Sequence, residues 1–295
     1  AEAEWSGLMQ RSATGHMLRE DGSLELYDSE ASFKASFPGW LARERHGIEY
    51  RHLDRAGIDG LQPGLSPRFT RATFLPGWKT VADPKLLGKA IWTYAETRGA
   101  RFLSGDVGLV LPSNGRIAIQ LKQGRTIMAE RLVIAAGAWS HLLARQFGDR
   151  IPLETERGYN TTLPSDSFDL RRQLTFGGHG FVISPLTSGI RIGGAVELGG
   201  LKLPPNYARA DAMLKKAKAF LPALRTSGGT QWMGFRPSMP DSLPVIGASR
   251  RSPDVLYAFG HGHLGLTQSA ATGRLVADLV TGTAPSIDLK PFSPQ

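Results

Sequence analysis

Residues 255–282 read VLYAFGHGHLGLTQSAATGRLVADLVTG. The apolar run Val255–Phe259 is a buried strand, Gly260 breaks it, and the residues from Leu266 to Leu279 form a helix that Gly282 stops. The turn between them, GHGHLG at 260–265, has the spacing G-x-G-x-x-G that lays a dinucleotide pyrophosphate on a helix N-terminus. A full dinucleotide unit also needs a second strand with an acid for the ribose about 20 residues on. Here the helix gives way to TAPSIDLKPFSPQ. What remains is a turn of free N–H groups at the positive end of a helix, suited to partial negative charge on a ligand, or a glycine turn used only for tight packing.

Working outward, RLVIAAGAWS at 131–140 repeats the pattern: an apolar strand runs into Ala136-Gly137-Ala138 and then into a helix, Trp139–Phe147. Small residues at such a junction let backbone approach a ligand. Before it lie three short strands, Gly105–Leu111, Arg116–Leu121 and Arg125–Ala129, joined by the turn dipeptides Asn114-Gly115 and Gln123-Gly124. Asp83 as cap, Pro84 at the first position and Gly99 past the end frame a helix whose apolar face is Leu86, Leu87, Ala90, Ile91 and Tyr94. Further upstream, Ser23–Tyr27 alternates as a strand, Ser29–Arg45 reads as one helical stretch, and Asp54–Leu61 is a short helix. Residues 151–232 are strand-rich, with Gly158–Leu163, Gly180–Ser184 and Ile190–Val196 interrupted by a helix over Ala208–Leu221, as expected for a sheet that walls a pocket. Ala1–Leu8 looks like the middle of a helix, as in a chain cut from something longer.

Composition narrows the chemistry. A chain of 295 residues, 41% hydrophobic and 21% charged, can bury more than one core. Zero cysteines exclude disulfide scaffolds, thiolate metal sites and cysteine nucleophiles. Runs such as Leu132–Ala138 fall far short of the ~20 residues a membrane span needs. The net charge of +9 is spread without an aromatic-basic stripe or helix-turn-helix, which argues against nucleic acid. It suits an anionic carboxylate substrate, a phosphate-bearing cofactor, or contact with an anionic membrane surface. There is no G-x-S-x-G elbow for a hydrolase, and His261 and His263 lack partners for a metal site, so packed or pocket-lining imidazoles are expected. In GFRPSMPD at 234–241, the prolines hold an extended backbone that could fix the Arg236 guanidinium as a fork for a carboxylate; the plain alternative is an ion pair with Asp241.

Four segments, RLVIAAGAWS (131–140), ERGYNTTLP (156–164), MGFRPSMPDSLPVIG (233–247) and YAFGHGHLGLTQSAATGRLVADLVTG (257–282), stand together in an order that resembles the FAD-dependent D-amino acid oxidase/dehydrogenase family. The resemblance covers most of the chain and is strongest to the bacterial D-amino acid dehydrogenases. It implies an α/β (α+β) fold of the FAD/NAD(P)-binding type with an antiparallel-sheet substrate domain. It implies FAD as cofactor and a small amino acid as substrate. Its substrate-carboxylate position falls on Arg236, and its tyrosine beside the flavin on Tyr159. Flavin contacts fall on Gly262, His263, Leu264, Gly265, Leu266 and Thr267, on Ala135, Ala136 and Gly137, and on Val107 near adenine. The implied reaction moves a hydride from Cα to the flavin and yields an imino acid, then a 2-oxo acid, as in amino acid catabolism. No acid–base dyad is needed if the amine binds neutral.

The family also begins with a strand, a G-x-G-x-x-G turn and a helix for the ADP half of FAD, and no such N-terminal βαβ is read here. The expected segments are residues 1–78 as the first part of the substrate domain with connecting helices, 79–150 as part of the FAD domain with the meander, 151–233 as the substrate sheet, and 234–295 as the C-terminal part of the FAD domain. One expectation is an N-terminally truncated chain, inactive alone. A second is an oxidase of a secondary amino acid or of glycine, such as D-proline, hydroxy-D-proline or sarcosine. A third is a non-catalytic subunit of a heteromeric complex. The resemblance points to a cytoplasmic protein, with peripheral contact at the inner face of the plasma membrane and a respiratory acceptor as extensions. Side-chain specificity, the choice of oxygen or another acceptor, and oligomeric state are left open.

Overall fold

A computed structural model describes residues 1–294. In chain order the main elements are α1 (Glu2–Arg11), β1 (Leu18–Arg19), β2 (Ser23–Tyr27), α2 (Glu30–Ala35), α3 (Phe37–Glu44), β3 (Arg51–Leu53), α4 (Arg55–Leu61), β4 (Arg71–Leu75), β5 (Thr80–Val81) and α5 (Pro84–Thr97). The chain continues through β6 (Val107–Ser113), β7 (Arg116–Leu121), β8 (Thr126–Ala129), β9 (Leu132–Ile134), α6 (Ser140–Ala144), β10 (Glu154–Leu163), β11 (Gln173–Phe176), β12 (Phe181–Leu186) and β13 (Gly189–Glu197). It ends with α7 (Ala208–Phe220), β14 (Thr230–Ser238), β15 (Val245–Ala248), β16 (Val255–Phe259) and α8 (Gly265–Thr281).

Local signals explain several of these elements. Asp83 caps α5 by accepting from the backbone N–H groups of Lys85 and Leu86, and Pro84 opens the helix. Asp54 caps α4 through the Gly57 N–H. The single helical stretch expected over Ser29–Arg45 is instead two helices that meet at Ser36. Pro38 lacks the N–H that a continuous helix would use and takes a first-turn position of α3 instead.

The largest sheet has eight strands in the order β14-β10-β13-β12-β11-β2-β4-β3, antiparallel except for β2 beside β11. Residues far apart in sequence therefore share one surface. Alternation divides that surface cleanly. Leu24, Leu26, Tyr159, Leu163, Leu174, Phe176, Ile183, Ile190 and Ile192 turn to one face, where Met213, Ala217 and Phe220 of α7 complete a buried core. The opposite face carries Glu156, Gly158, Asn160 and Thr162 of β10, set against Trp232, Gly234 and Arg236 of β14 and against Arg191 and Gly193 of β13.

A second core lies around the sheet β15-β16-β9, where β9 and β16 run parallel, and is completed by the β6-β7-β8 meander and α6. Val110, Ile117, Ile134, Phe147, Val255 and Tyr257 fill it. The buried Asp149 carboxylate ties it together by accepting from Ser249, Arg250 and the Tyr257 hydroxyl. Among the described residues no helix is long and apolar enough to cross a membrane.

Candidate active site

The polar face of the large sheet forms the floor of a cavity of about 820 Å³. Two glycines, Gly158 and Gly234, lie directly opposite each other on β10 and β14. Each leaves room for a large neighbour. A Cβ at Gly158 would stand 2.2 Å from Nη2 of Arg236, so the guanidinium lies flat across the strand at that point. A Cβ at Gly234 would stand 2.3 Å from the Trp232 ring, which folds over the strand beside it.

Arg236 donates from Nη1 to the Ala195 carbonyl at 3.2 Å, leaving Nε and Nη2 free to meet a carboxylate as a fork. No ion pair with Asp241 forms; the Asp241 carboxylate instead accepts from the Leu243 N–H. Ala195 holds φ of 58°, a left-handed conformation that costs energy for a residue with a Cβ and turns its carbonyl toward Arg236. Burial holds the Arg236 pKa below its ordinary value, and the nearby Glu156 charge opposes that effect.

Tyr159 takes the other face of β10. Its ring is fully buried, and its hydroxyl donates to Glu197 and accepts from the Asn206 N–H at 3.0 Å. That hydroxyl, with Arg209 and Arg157 close by, holds the Glu197 carboxyl below its usual range. Arg157, beside it, is buried and donates to the carbonyls of Gly200, Leu203 and Pro204. Tyr159 and Arg157 thus brace the wall from behind, while its backbone lines the cavity.

Two small-residue turns pack against β14. One is Gly137–Trp139, where Gly137 has φ of 55° and open space where a Cβ would be, and where Trp139 meets Phe235 edge-on at 5.3 Å. Ala135 and Ala136 lead into it and are exposed. The other is Gly262–Leu264, which passes directly into α8 at Gly265, Leu266 and Thr267. No side chain caps that helix, so its first N–H groups face outward at the positive end of the dipole. His263 bonds Glu156 at 2.7 Å and lines the cavity, whereas His261 is held by Thr272 at 2.9 Å. Burial lowers the His261 pKa. Val107 opens β6 in the meander, outside the cavity lining. Among the described residues no cluster of acids and histidines could hold a metal ion.

An uncapped helix start, a positive-φ glycine turn with empty space above it and the exposed Leu264 and Leu266 side chains fit a flat ring system with an electron-rich edge. Sequence reasoning missed Gly158, Ala195, Glu156 and Trp232. Their signal is cross-strand register, which no local pattern carries.

An arginine with free donors on the sheet face and an uncapped helix start are features that suit an anionic ligand and a flavin. A family model described as FAD dependent oxidoreductase matches residues 1–279. The chain is 35% identical to a D-amino-acid oxidase of Bradyrhizobium diazoefficiens, over 97% of this chain and 69% of that protein. It is 32% identical to a D-amino acid dehydrogenase of Agrobacterium fabrum, over 95% of this chain and 68% of that protein. It thus spans about two thirds of the length of these relatives. A crystal structure of glycine oxidase from Geobacillus kaustophilus shares the fold, with a TM-score of 0.87 at 24% identity, covering 100% of this chain and 80% of that one. The chain belongs to the FAD dependent oxidoreductase family, in the class of the D-amino-acid oxidases and dehydrogenases.

Proposed function

We propose that this chain carries the substrate site of an enzyme that oxidatively deaminates a D-amino acid, with the substrate carboxylate held by Arg236. The observation that supports this most is the guanidinium laid across Gly158, anchored once to Ala195 and free at two donors, in a cavity whose lining contains no Asp or Glu. FAD, when bound, supplies the two-electron oxidation that converts the amino acid to an imino acid.

The residues of the chain bind and orient. Arg236 fixes the carboxylate, and with it the direction in which Cα–H points. Trp232, on the same face of β14 as Arg236, gives the site an apolar wall that limits water. The N–H groups at Gly265–Thr267, with Gly262, His263 and Leu264, and the turn Ala135–Gly137 are the positions assigned to the cofactor. Tyr159 is assigned a positioning role: its hydroxyl keeps Glu197 and Asn206 in place and so fixes the wall that carries Ala195. Hydrolysis of the imino acid to a 2-oxo acid and ammonia requires only water. The excess of basic side chains suits contact with an anionic membrane surface, where a respiratory acceptor would take the electrons.

Steady-state kinetics of the FAD-loaded protein test this. Truncating one partner of a part-buried charge pair costs about 2–5 kcal/mol. Arg236→Ala should therefore raise KM for a D-amino acid by roughly 30-fold or more and leave flavin content unchanged. An unchanged KM would remove Arg236 from the substrate site.

A further inference from the structure

We propose that Arg191 is a second carboxylate-binding position in the same cavity, and that the preferred substrates are amino acids with an acidic side chain. This rests on the proposed oxidation at Arg236. Arg191 lies on β13 opposite Thr162 of β10 and Ser184 of β12, between the core residues Ile190 and Ile192. Alternation therefore places it on the face that holds Gly158 and Arg236. Its stem leans along β13 toward Arg236, with Cγ 4.0 Å from where a Cβ on Gly193 would be.

Its head group, like that of Arg236 and unlike that of Arg157, keeps donors free. Arg157 spends its donors on three backbone carbonyls. Arg191 donates only from Nε, to the Thr162 hydroxyl at 3.2 Å, and among the described residues no acceptor meets its two terminal nitrogens and no carboxylate lies within ion-pair distance. The acid whose charge it feels, Asp83, is committed to the N–H groups that open α5. Arg191 is also the one residue shared by the linings of this cavity and a neighbouring one of about 560 Å³, where Ser184 and Gln173 lie beside it.

The spacing fits a dicarboxylate. Gly158, under the Arg236 head, and Thr162, beside Arg191, are four residues apart on β10, which is on the order of 13 Å. With the two heads over those backbone positions and a carboxylate carbon roughly 4 Å from each guanidinium carbon, about 5 Å is left between the two carboxylates, the reach of an extended five-carbon diacid. The cavity lining holds both arginines and no acid, so a second carboxylate on the ligand supplies the acceptor that the terminal nitrogens of Arg191 lack.

Two measurements test this. By calorimetry, glutarate should bind the FAD-loaded protein about tenfold or more tightly than butyrate. Arg191→Met should bring glutarate down to the butyrate value without changing butyrate, and Arg191→Lys should restore part of the difference. In turnover, D-glutamate should be preferred over its neutral isostere D-glutamine by about tenfold in kcat/KM, and Arg191→Met should remove the preference. Equal affinity of the two acids, or an unchanged D-glutamate preference in Arg191→Met with a wild-type melting temperature, would overturn the assignment. Oxidation of D-glutamine with no preference for D-glutamate would sink Arg191 and leave the Arg236 reading intact. An Arg191-dependent glutarate advantage without oxidation of any D-amino acid would sink the oxidation and leave the second carboxylate position standing.

Discussion

Gly158→Ala is the sharpest perturbation of the carboxylate fork, because it touches Arg236 without changing it. The new Cβ would stand 2.2, 2.3 and 2.5 Å from Nη2, Cζ and Nη1, where ordinary contact begins at 3.4 Å. The crowded atoms are the end of a flexible side chain, so the guanidinium retreats by at least about 1 Å while the strand stays in place. Misplacing a positioning group by about 1 Å costs on the order of 100-fold, and one charged hydrogen bond lost costs about 1.5–3 kcal/mol, or roughly 10- to 150-fold. The expected fall in kcat/KM is therefore 10- to 100-fold, carried mostly by KM. Gly158 does not have a positive φ, so alanine fits its backbone and reduces unfolded-state entropy by an amount worth about 0.4–1 kcal/mol. The melting temperature should hold or rise slightly. Steady-state kinetics on FAD-loaded protein, beside a thermal melt, read both quantities. In an Arg236→Met background the same alanine should change kcat/KM by less than about threefold, because the group it displaces is gone. A Gly158→Ala enzyme with wild-type KM would refute the reasoning.

Other sites give independent checks. Gly137→Val forces a branched residue into φ of 55° and fills the open space above the turn, so the dissociation constant for FAD, read by quenching of flavin fluorescence, should rise tenfold or more; unchanged affinity would move the cofactor away from Ala135–Gly137. His261 is half-buried beside Thr272, and its folded pKa lies below the ordinary 6.5. The unfolded chain therefore binds the proton first, and the stability from a neutral His261 is present above 6.5 and lost as pH falls below it. Melting temperature against pH should drop less steeply on the acid side in His261→Asn, and parallel curves for the two proteins would count against this.

Much of the fold is written locally. The Asp83-Pro84 start of α5, the Asn114-Gly115 hairpin between β6 and β7, and the strand–turn–helix at β16–α8 each carry cap, turn and period in adjacent residues. The break between α2 and α3 was also present in Pro38, but the apolar spacing of Phe33, Phe37 and Trp40 runs across it and hides it. The eight-stranded sheet has no local signature, because β2 reaches β11 across 150 residues and β10 sits between partners near 190 and 234. The site divides the same way. The extended backbone around Arg236 follows from its prolines. The need for glycine at 158 follows only from register, which also decides that Tyr159 faces the core while Glu156 reaches His263, 107 positions away. Arg191 lay within reach of sequence alone, since Ile190-Arg191-Ile192 in an alternating strand sets one cation on the polar face.

The most direct test is anaerobic mixing of the FAD-loaded protein with single amino acids while the visible absorbance of the oxidised flavin is followed. D-amino acids should bleach that band, with one 2-oxo acid formed per flavin reduced, and the matching L-enantiomers should not. A band that no D-amino acid bleaches would contradict the assignment.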